Sequence, residues 1–157
     1  MERALSIEAM QAIKAAEGYL QLEMSEAALV ELDRLEVLDQ GHPVALLYRS
    51  KAHMDEKNFE RAAVVADVGI SAYPLRAEFY FLKAFALAGT GDSWSAKQAL
   101  LRAPNTIQQT GEFHYNLARY EAELGNIESA RQHLALAESL SQVEQGKTSQ
   151  KMNVLLN

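Results

Sequence analysis

Residues 84–96 decide the fold: Ala-Phe-Ala-Leu-Ala-Gly-Thr-Gly-Asp-Ser-Trp-Ser-Ala begins and ends on a small residue, with Gly91-Asp92 in between. Both terminal alanines belong to columns of small residues that recur every 34 residues. The first column is Ala16, Ser50, Ala84 and Ala118, and the second is Ala28, Ala62, Ala96 and Ala130. Alanine is common enough for one such column to arise by accident. Two columns at a fixed offset indicate an internal repeat.

A unit of this length with two small residues per period predicts a helix-turn-helix, because helices approach closely only where both carry small side chains. Gly41-His42-Pro43 is expected to end the second helix after Gln40. Pro104 should stop the sixth helix at about Arg102 and leave an irregular connection to Thr110. The sequence therefore predicts an all-α chain with eight helices, at about 7–22, 25–40, 44–56, 59–72, 76–90, 93–102, 111–124 and 127–143.

The chain resembles the tetratricopeptide repeat (TPR) family, whose unit has this length and a third, mostly small, column near its end. Here that column is Leu35, Gly69, Ala103 and Ala137. Pro74 matches the closing proline of the family, and Gly91-Asp92 and Gly125-Asn126 match the turn between its two helices. The resemblance implies a TPR-type superhelix of antiparallel helix pairs in one domain, 1–157. The expected repeats are about 9–42, 43–76, 77–110 and 111–144, followed by a C-terminal capping segment, 147–157.

The first and fourth repeats depart from the family pattern. The large residue expected near the start of a repeat is Ala12 in the first and His114 in the fourth, and Glu121 stands where Tyr or Leu is expected. After Gly146 the chain carries an apolar tail that includes Met152 and Leu155. This tail is expected to cover apolar surface, either as a short capping helix or as a segment that docks in its own groove or a neighbour's.

The composition is that of a soluble domain, with 157 residues of which 48% are hydrophobic and 23% charged. A net charge of −6 without basic clusters argues against nucleic acid and anionic lipid as partners. No apolar run reaches the ~20 residues of a membrane span, and the N-terminus does not read as a secretory leader. The absence of cysteine fits a reducing compartment. We expect a cytoplasmic protein, either a monomer or a homodimer.

Signals for catalysis, cofactors or metals are weak. Gly146-Lys147-Thr148 imitates the end of a phosphate-binding loop, but Ser141 stands where that loop needs a glycine and a helix precedes it instead of a strand. The four histidines show none of the spacings that place metal ligands on one helix face, and no Gly-x-Ser-x-Gly motif is present. We therefore expect a protein that is not an enzyme and has no cofactor and no metal site.

The resemblance implies a concave groove lined by the first helices of successive repeats. Counted from the start of each repeat, family positions 2, 5, 6, 9, 12 and 13 face this groove. The residues predicted to bind a peptide are Leu47, Tyr48, Lys51, Met54, Phe81, Phe85, Tyr115, Asn116 and Arg119. Members that clamp a free C-terminal carboxylate use Lys and Asn at positions 5 and 9 of the first repeat. Ile13 and Glu17 stand there, so the pattern disfavours that clamp and favours an apolar peptide.

The favoured function is thus a non-catalytic scaffold, an adaptor or chaperone, that binds an apolar segment of a partner protein. The small type III secretion chaperones are similar in size and in holding apolar segments in a TPR groove. Two alternatives stay open. The protein could be a structural assembly or self-association module, and the aromatic residues of the groove could be packed in the core instead.

Overall fold

The computed structural model describes residues 4–156, with side chains as far as residue 147. In the described part of the chain, seven of the eight predicted helices are present as single helices, the one predicted at 25–40 is divided into two, and one further short helix is present. In chain order they are α1 (Ile7–Gln21), α2 (Ser25–Asp33), α3 (Val37–Gln40), α4 (Pro43–Asp55), α5 (Phe59–Ala72), α6 (Ala77–Gly89), α7 (Ser93–Leu101), α8 (Asn105–Gln108), α9 (Gly111–Glu123) and α10 (Ile127–Leu156).

The long helices pack in consecutive pairs, α1 with α2, α4 with α5, α6 with α7 and α9 with α10. The second helix of each pair then packs against the first helix of the next, so that α2 contacts α4, α5 contacts α6 and α7 contacts α9. The first helices α1, α4, α6 and α9 also contact one another in succession. This arrangement places the first helices side by side along one face of the array.

The two columns of small residues lie where paired helices meet. Ala16, Ala28, Ala62, Ala84 and Ala96 are completely buried, and Ala118 and Ala130 are nearly so. Ser50 is buried as well, and its hydroxyl donates a hydrogen bond to the carbonyl oxygen of Ala62, 3.0 Å away. A larger residue at these positions would separate the two helices of the pair. The repeat register predicted from the columns is confirmed by this burial.

The turn between paired helices has the same backbone conformation in all four repeats. Its central residue has a positive φ, which is 58° at Glu23 and Lys57, 87° at Gly91 and 82° at Gly125. Glycine adopts this left-handed conformation without steric cost, whereas other residues do so at a cost. The turn predicted from the two glycines is therefore confirmed, and the first two repeats form it without glycine.

The prediction of one long second helix over 25–40 is wrong. α2 ends at Asp33, and the chain then forms the separate short helix α3. The backbone is extended at Glu36, with ψ of 153°, and the side-chain amide of Gln40 donates a hydrogen bond to the carbonyl oxygen of Leu35 at 2.9 Å. Leu35 is buried in the core of the first repeat. The glutamine thus satisfies a carbonyl group that the helix break would otherwise leave without a partner.

The same break occurs 68 residues later, at the place predicted from Pro104. α7 ends at Leu101, and Pro104 precedes the short helix α8. The amide of Gln108 donates to the carbonyl oxygens of Ala103 at 2.8 Å and Leu101 at 3.1 Å. The first and third repeats therefore end in the same way, although only the third contains a proline there.

The last helix, α10, continues past its predicted end at residue 143 as far as Leu156. With 30 residues it is about 45 Å long. Gly146 lies within it, and a methyl group added there would meet no atom within 4 Å. The side chains of 148–157, on which the prediction of a capping segment depends, lie outside the described residues.

Glu121 is accommodated in the core of the fourth repeat by two polar partners. Its carboxylate is 2.5 Å from the Lys97 ammonium and accepts a hydrogen bond from the Asn126 amide at 2.7 Å. Burial opposes ionisation, but the bonds and charge of Lys97 and the bond from Asn126 outweigh it and lower the pKa of Glu121. This explains how a carboxylate replaces the expected Tyr or Leu.

Candidate peptide-binding groove

A groove of about 480 Å³ opens on the face formed by the first helices α1, α4 and α6. We call it the concave groove. Its apolar part is formed by Leu20, Met54, Leu82 and Phe85, together with the ring of Tyr48. The lining is completed by four polar or charged side chains, Glu17, Gln21, Lys51 and Asp55. The groove therefore combines an apolar floor with a few charges.

Tyr48 and Glu17 connect the walls contributed by α1 and α4. Burial and a hydrogen bond to Glu17, with the carboxylate charge, raise the pKa of the Tyr48 phenol. The phenol therefore stays protonated and can donate to the carboxylate at physiological pH. Glu17 thus places a carboxylate at the position where carboxylate-binding members of the family use an amide, and a carboxylate there repels a C-terminal carboxylate.

Phe85 is the most exposed aromatic side chain of this groove, with 47% of its surface accessible. The guanidinium carbon of Arg119, on α9, lies 4.9 Å from the centre of its ring. Arg119 also donates a hydrogen bond to the hydroxyl of the buried Tyr120 at 3.0 Å. These contacts hold the arginine against the ring of Phe85 in a cation–π geometry. Arg119 therefore adjoins the groove on the side of the fourth repeat.

The structure brings some of the predicted binding residues together and separates others. Tyr48, Lys51, Met54 and Phe85 line the concave groove, and Arg119 adjoins it. The others lie elsewhere, as follows: Leu47 is half-buried outside the lining, Phe81 packs against the core cluster of the third and fourth repeats, Tyr115 is exposed on α9, and the Asn116 amide donates to the carbonyl oxygen of Glu112. The position-5 residues Ile13 and Phe81 thus contribute to the core.

Several residues of the concave groove were not among those predicted to bind. Leu20 and Leu82 occupy positions 12 and 6 of their repeats, so the family pattern already pointed to them. Gln21 and Asp55 occupy position 13, which the pattern also assigns to the groove. Applying every position of the pattern to the first three repeats would have found all four.

Two histidines for which the sequence analysis found no metal-ligand spacing contact each other in the fourth repeat. The Nδ1 atoms of His114 on α9 and His133 on α10 are 3.1 Å apart, and the rings stack with an angle of 17°. Burial and the neighbouring charge of His133 lower the pKa of His114. His114 and His133 occupy positions 4 and 23 of the fourth repeat, and these positions face each other in the antiparallel helix pair. A search for ligand spacings along a single helix does not find such a pair.

Among the residues that the structure describes, no three His, Asp or Glu side chains come together in a way that could hold a metal ion. Within the same part of the chain, no helix combines the length and the apolar character needed to cross a membrane.

Comparison with solved structures gives several matches that cover most of both chains. A crystal structure of MamA superposes with a TM-score of 0.75 at 14% identity, covering 88% of this chain and 81% of that one. A double mutant of MamA RS-1 gives a TM-score of 0.72 at 16% identity over 88% and 79% of the two chains. A thermophilic TPR protein of Thermus thermophilus, TTC0263, gives 0.73 at 18% identity over 95% and 82%.

The chain has the fold of a TPR array. No protein-family profile matches its sequence, and no curated protein does. At identities below 20% the structural likeness establishes the fold alone. In the TPR register, the concave groove is built from positions 6, 9, 12 and 13 of the first three repeats.

Proposed function

We propose that this TPR array is a non-catalytic adaptor or chaperone that captures an apolar segment of a partner protein in the concave groove. The observation that supports the proposal is the open apolar floor formed by Leu20, Met54, Leu82 and Phe85. Three of these side chains are half-buried, while Phe85 is exposed. An apolar ligand side chain would remove the accessible face of Phe85 from water, which is the main driving force for such binding.

The charges around this floor define the flanks of the preferred ligand. Lys51 offers an ammonium group to an acidic residue of the ligand, and Glu17 and Asp55 offer carboxylates to a basic one. A ligand with two or three apolar anchors between residues of both charges fits this pattern. Small secretion chaperones that hold apolar segments in a TPR groove provide a functional parallel. The proposal includes a cytoplasmic location, with which the cysteine-free composition is compatible.

The test is selection of peptides by the immobilised full chain from a random displayed library, followed by fluorescence anisotropy with the selected peptides. The decisive variant is Phe85→Ser, and its matched control is Trp94→Ser, which removes an exposed aromatic residue from the second helix α7. Phe85→Ser is expected to weaken binding at least about tenfold, whereas Trp94→Ser should bind as the unaltered protein does.

Failure of the library to yield a specific peptide would contradict the proposal, and so would a selected peptide that binds the Phe85→Ser variant equally well. Circular dichroism of both variants verifies that the helices are retained. Phe81 is left unchanged in this test because it packs against the core, and its replacement would disturb the fold as well as the groove.

A self-association module remains the second candidate, because exposed valines occupy equivalent places on successive second helices. Val30 on α2 and Val64 on α5 are 54% and 63% exposed, and Val68 is 50% exposed. Apolar surface of this kind is found at protein contacts. Light scattering at two concentrations separates the candidates, since a self-association module becomes dimeric or larger as concentration rises, and a peptide-capturing monomer does not.

A further inference from the structure

The C-terminal end of the array exposes a column that is buried in the other repeats. Position 24 is occupied by Leu32, Ala66 and Leu100 in the first three repeats, and all three are completely inaccessible to water. The helices α4, α6 and α9 pack on the second helices that carry these residues. The equivalent residue of the fourth repeat is Leu134, which is 47% exposed. We call the first helix of the next repeat, which packs on such a second helix, the arriving helix. Among the described residues, Leu134 is the leucine of this column on which no arriving helix packs.

Residue sizes at the existing interfaces are complementary. Where position 27 carries Leu35, the arriving helix presents Ala45 in the same core cluster. Where it carries Gly69 or Ala103, the arriving helix presents Phe79 or Phe113. The fourth repeat carries Ala137 at this position. By the same rule, a helix arriving at the C-terminal end should present a large, preferably aromatic, residue.

A groove of about 530 Å³ lies at this end, between α9 and α10. We call it the C-terminal groove. Its apolar lining includes Tyr115, Leu134 and Ala137. The charged residues that line it, among those described, are Glu112, Glu138 and Glu144, so that all of its charge is negative. The Glu144 carboxylate also accepts a hydrogen bond from the Gly111 amide at 3.4 Å, which holds it at the edge of the groove.

Acid–base pairs already link the array to its arriving helices. Asp33 of α2 pairs with Arg49 of α4 at 2.6 Å, and Asp67 of α5 pairs with Lys83 of α6 at the same distance. In both pairs the carboxylate belongs to the second helix and the cation to the arriving first helix, whereas at the third interface Lys97 of α7 pairs with Glu121 of the arriving helix α9. The described lining of the C-terminal groove contains glutamates and no cation, so its charge favours an arriving helix that brings basic residues.

The same charges disfavour a symmetric dimer through this surface. A two-fold contact would bring the glutamates of both copies into one interface, and each copy carries a formal net charge of −6. The backbone of α10 continues in one helix to Leu156, so it does not turn back over the groove.

We propose that the C-terminal groove binds a basic amphipathic helix of a partner protein, which stacks on α10 as the first helix of a fifth repeat would. Its aromatic or large apolar residue contacts Leu134 and Ala137, and its lysines or arginines face Glu112 and Glu138. This surface is separate from the concave groove, so a second partner segment can bind at the same time as a captured peptide.

The probe is a synthetic, fluorescently labelled peptide with the sequence of residues 110–124, which contain α9, the helix that stacks on the third repeat. In the basic form of the peptide Glu112, Glu121 and Glu123 are replaced by lysine, and the unmodified acidic peptide is the matched control. Binding to the full chain is measured by anisotropy. The variants of the full chain are Leu134→Ser and, as a matched control on the same helix, Leu136→Ser, since Leu136 is 46% exposed but does not line the groove.

The basic peptide is expected to bind saturably, about tenfold more tightly than the acidic one, and Leu134→Ser should weaken it about tenfold. Leu136→Ser and Phe85→Ser should bind it as the unaltered protein does. The Phe85→Ser result separates this surface from the concave groove, so that either proposal can fail alone. Absence of saturable binding, equal binding of both peptides, or equal effects of the two leucine variants would overturn the inference. A dimer that Leu134→Ser dissociates would also overturn it, in favour of a second copy as occupant.

Discussion

Replacing Gly69 by alanine should destabilise the protein, although alanine is the better helix former. A methyl group on Gly69 would lie 2.1, 2.3 and 2.5 Å from three ring atoms of Phe79, where ordinary contacts are 3.4–4 Å. Phe79 is completely buried, and its ring stacks on that of Tyr73 with centroids 6.2 Å apart. The ring cannot turn out to solvent without giving up this packing. α5 and α6 must therefore move apart by about an ångström or the ring must leave its preferred rotamer.

The size of the effect follows from two opposing contributions. Overpacking of a filled core costs about 1–3 kcal/mol. Replacing a helical glycine by alanine contributes about 0.5–1 kcal/mol in the other direction. The difference between the midpoints of these ranges gives a net loss in the free energy of unfolding of about 1 kcal/mol. For a domain of this length, that lowers Tm by about 2–4 °C.

The matched control is Gly18→Ala in α1, where an added methyl group meets no atom within 4 Å. It carries the favourable helix contribution alone and should raise Tm by about 1–4 °C. Thermal unfolding followed by far-ultraviolet circular dichroism measures both variants. If Gly69→Ala unfolds at or above the temperature of the unaltered protein while Gly18→Ala behaves as expected, the close approach of α5 and α6 is refuted. The double variant Gly69→Leu with Phe79→Ala, which recreates the Leu35–Ala45 pair of the first interface, should be more stable than Gly69→Leu alone.

Three further predictions concern the turn, the buried carboxylate and the histidine pair. Lys57→Gly should raise the urea midpoint, because Lys57 adopts a left-handed conformation that costs about 1–2 kcal/mol. The greater chain entropy of glycine in the unfolded state offsets about 0.5–1 kcal/mol of this gain. An unchanged midpoint would contradict the positive φ. Glu121→Ala should cost about 1–3 kcal/mol at neutral pH in urea unfolding, because Lys97 and Asn126 lose their partner. Since the pKa of Glu121 is lowered in the fold, its contribution to the free energy of unfolding is present above its ordinary pKa of 4.5 and is lost as the pH falls through the lowered pKa. If the Glu121→Ala variant shows the same loss of stability in acid as the unaltered protein, the pairing is refuted. The pKa of His114 is lowered in the fold, so the unfolded chain binds the proton at a higher pH than the folded chain does, and the free energy of unfolding falls as the pH drops below 6.5. His114→Phe should reduce that fall. An unchanged pH dependence of the free energy of unfolding would count against the contact with His133.

The register of the repeats could be predicted from the sequence because it rests on a local steric requirement. Two helices that cross closely need a small residue at the crossing, and the columns that contain Ala84 and Ala96 show that requirement directly. The turn at Gly91 could be predicted for a similar reason, since its φ of 87° favours glycine. Each of these features depends on the residue itself and on its immediate neighbours.

The break between α2 and α3 could not be predicted in the same way. No proline or glycine lies at 34–36, and the break depends on the Gln40 amide reaching back to the carbonyl oxygen of Leu35. The outcome rests on a tertiary contact, since Leu35 is held in the core of the first repeat. The third repeat shows that the glutamine contact recurs even where Pro104 already forbids a continuous helix.

Membership of a column does not decide exposure, and this limits what repeat logic says about function. The column at position 5 places Phe81 against the core, whereas Tyr115 of the same column lies 58% exposed beside the C-terminal groove. Leu100 and Leu134 likewise share position 24, but only the first has a helix stacked on it. An internal repeat buries the core-facing apolar residues of its second helix against the next repeat, so such a residue is left exposed where the array ends. Within the described residues, the contrast between Leu100 and Leu134 at position 24 identifies the end of the array, whereas the concave groove is identified by the exposure of Phe85 on the face formed by the first helices.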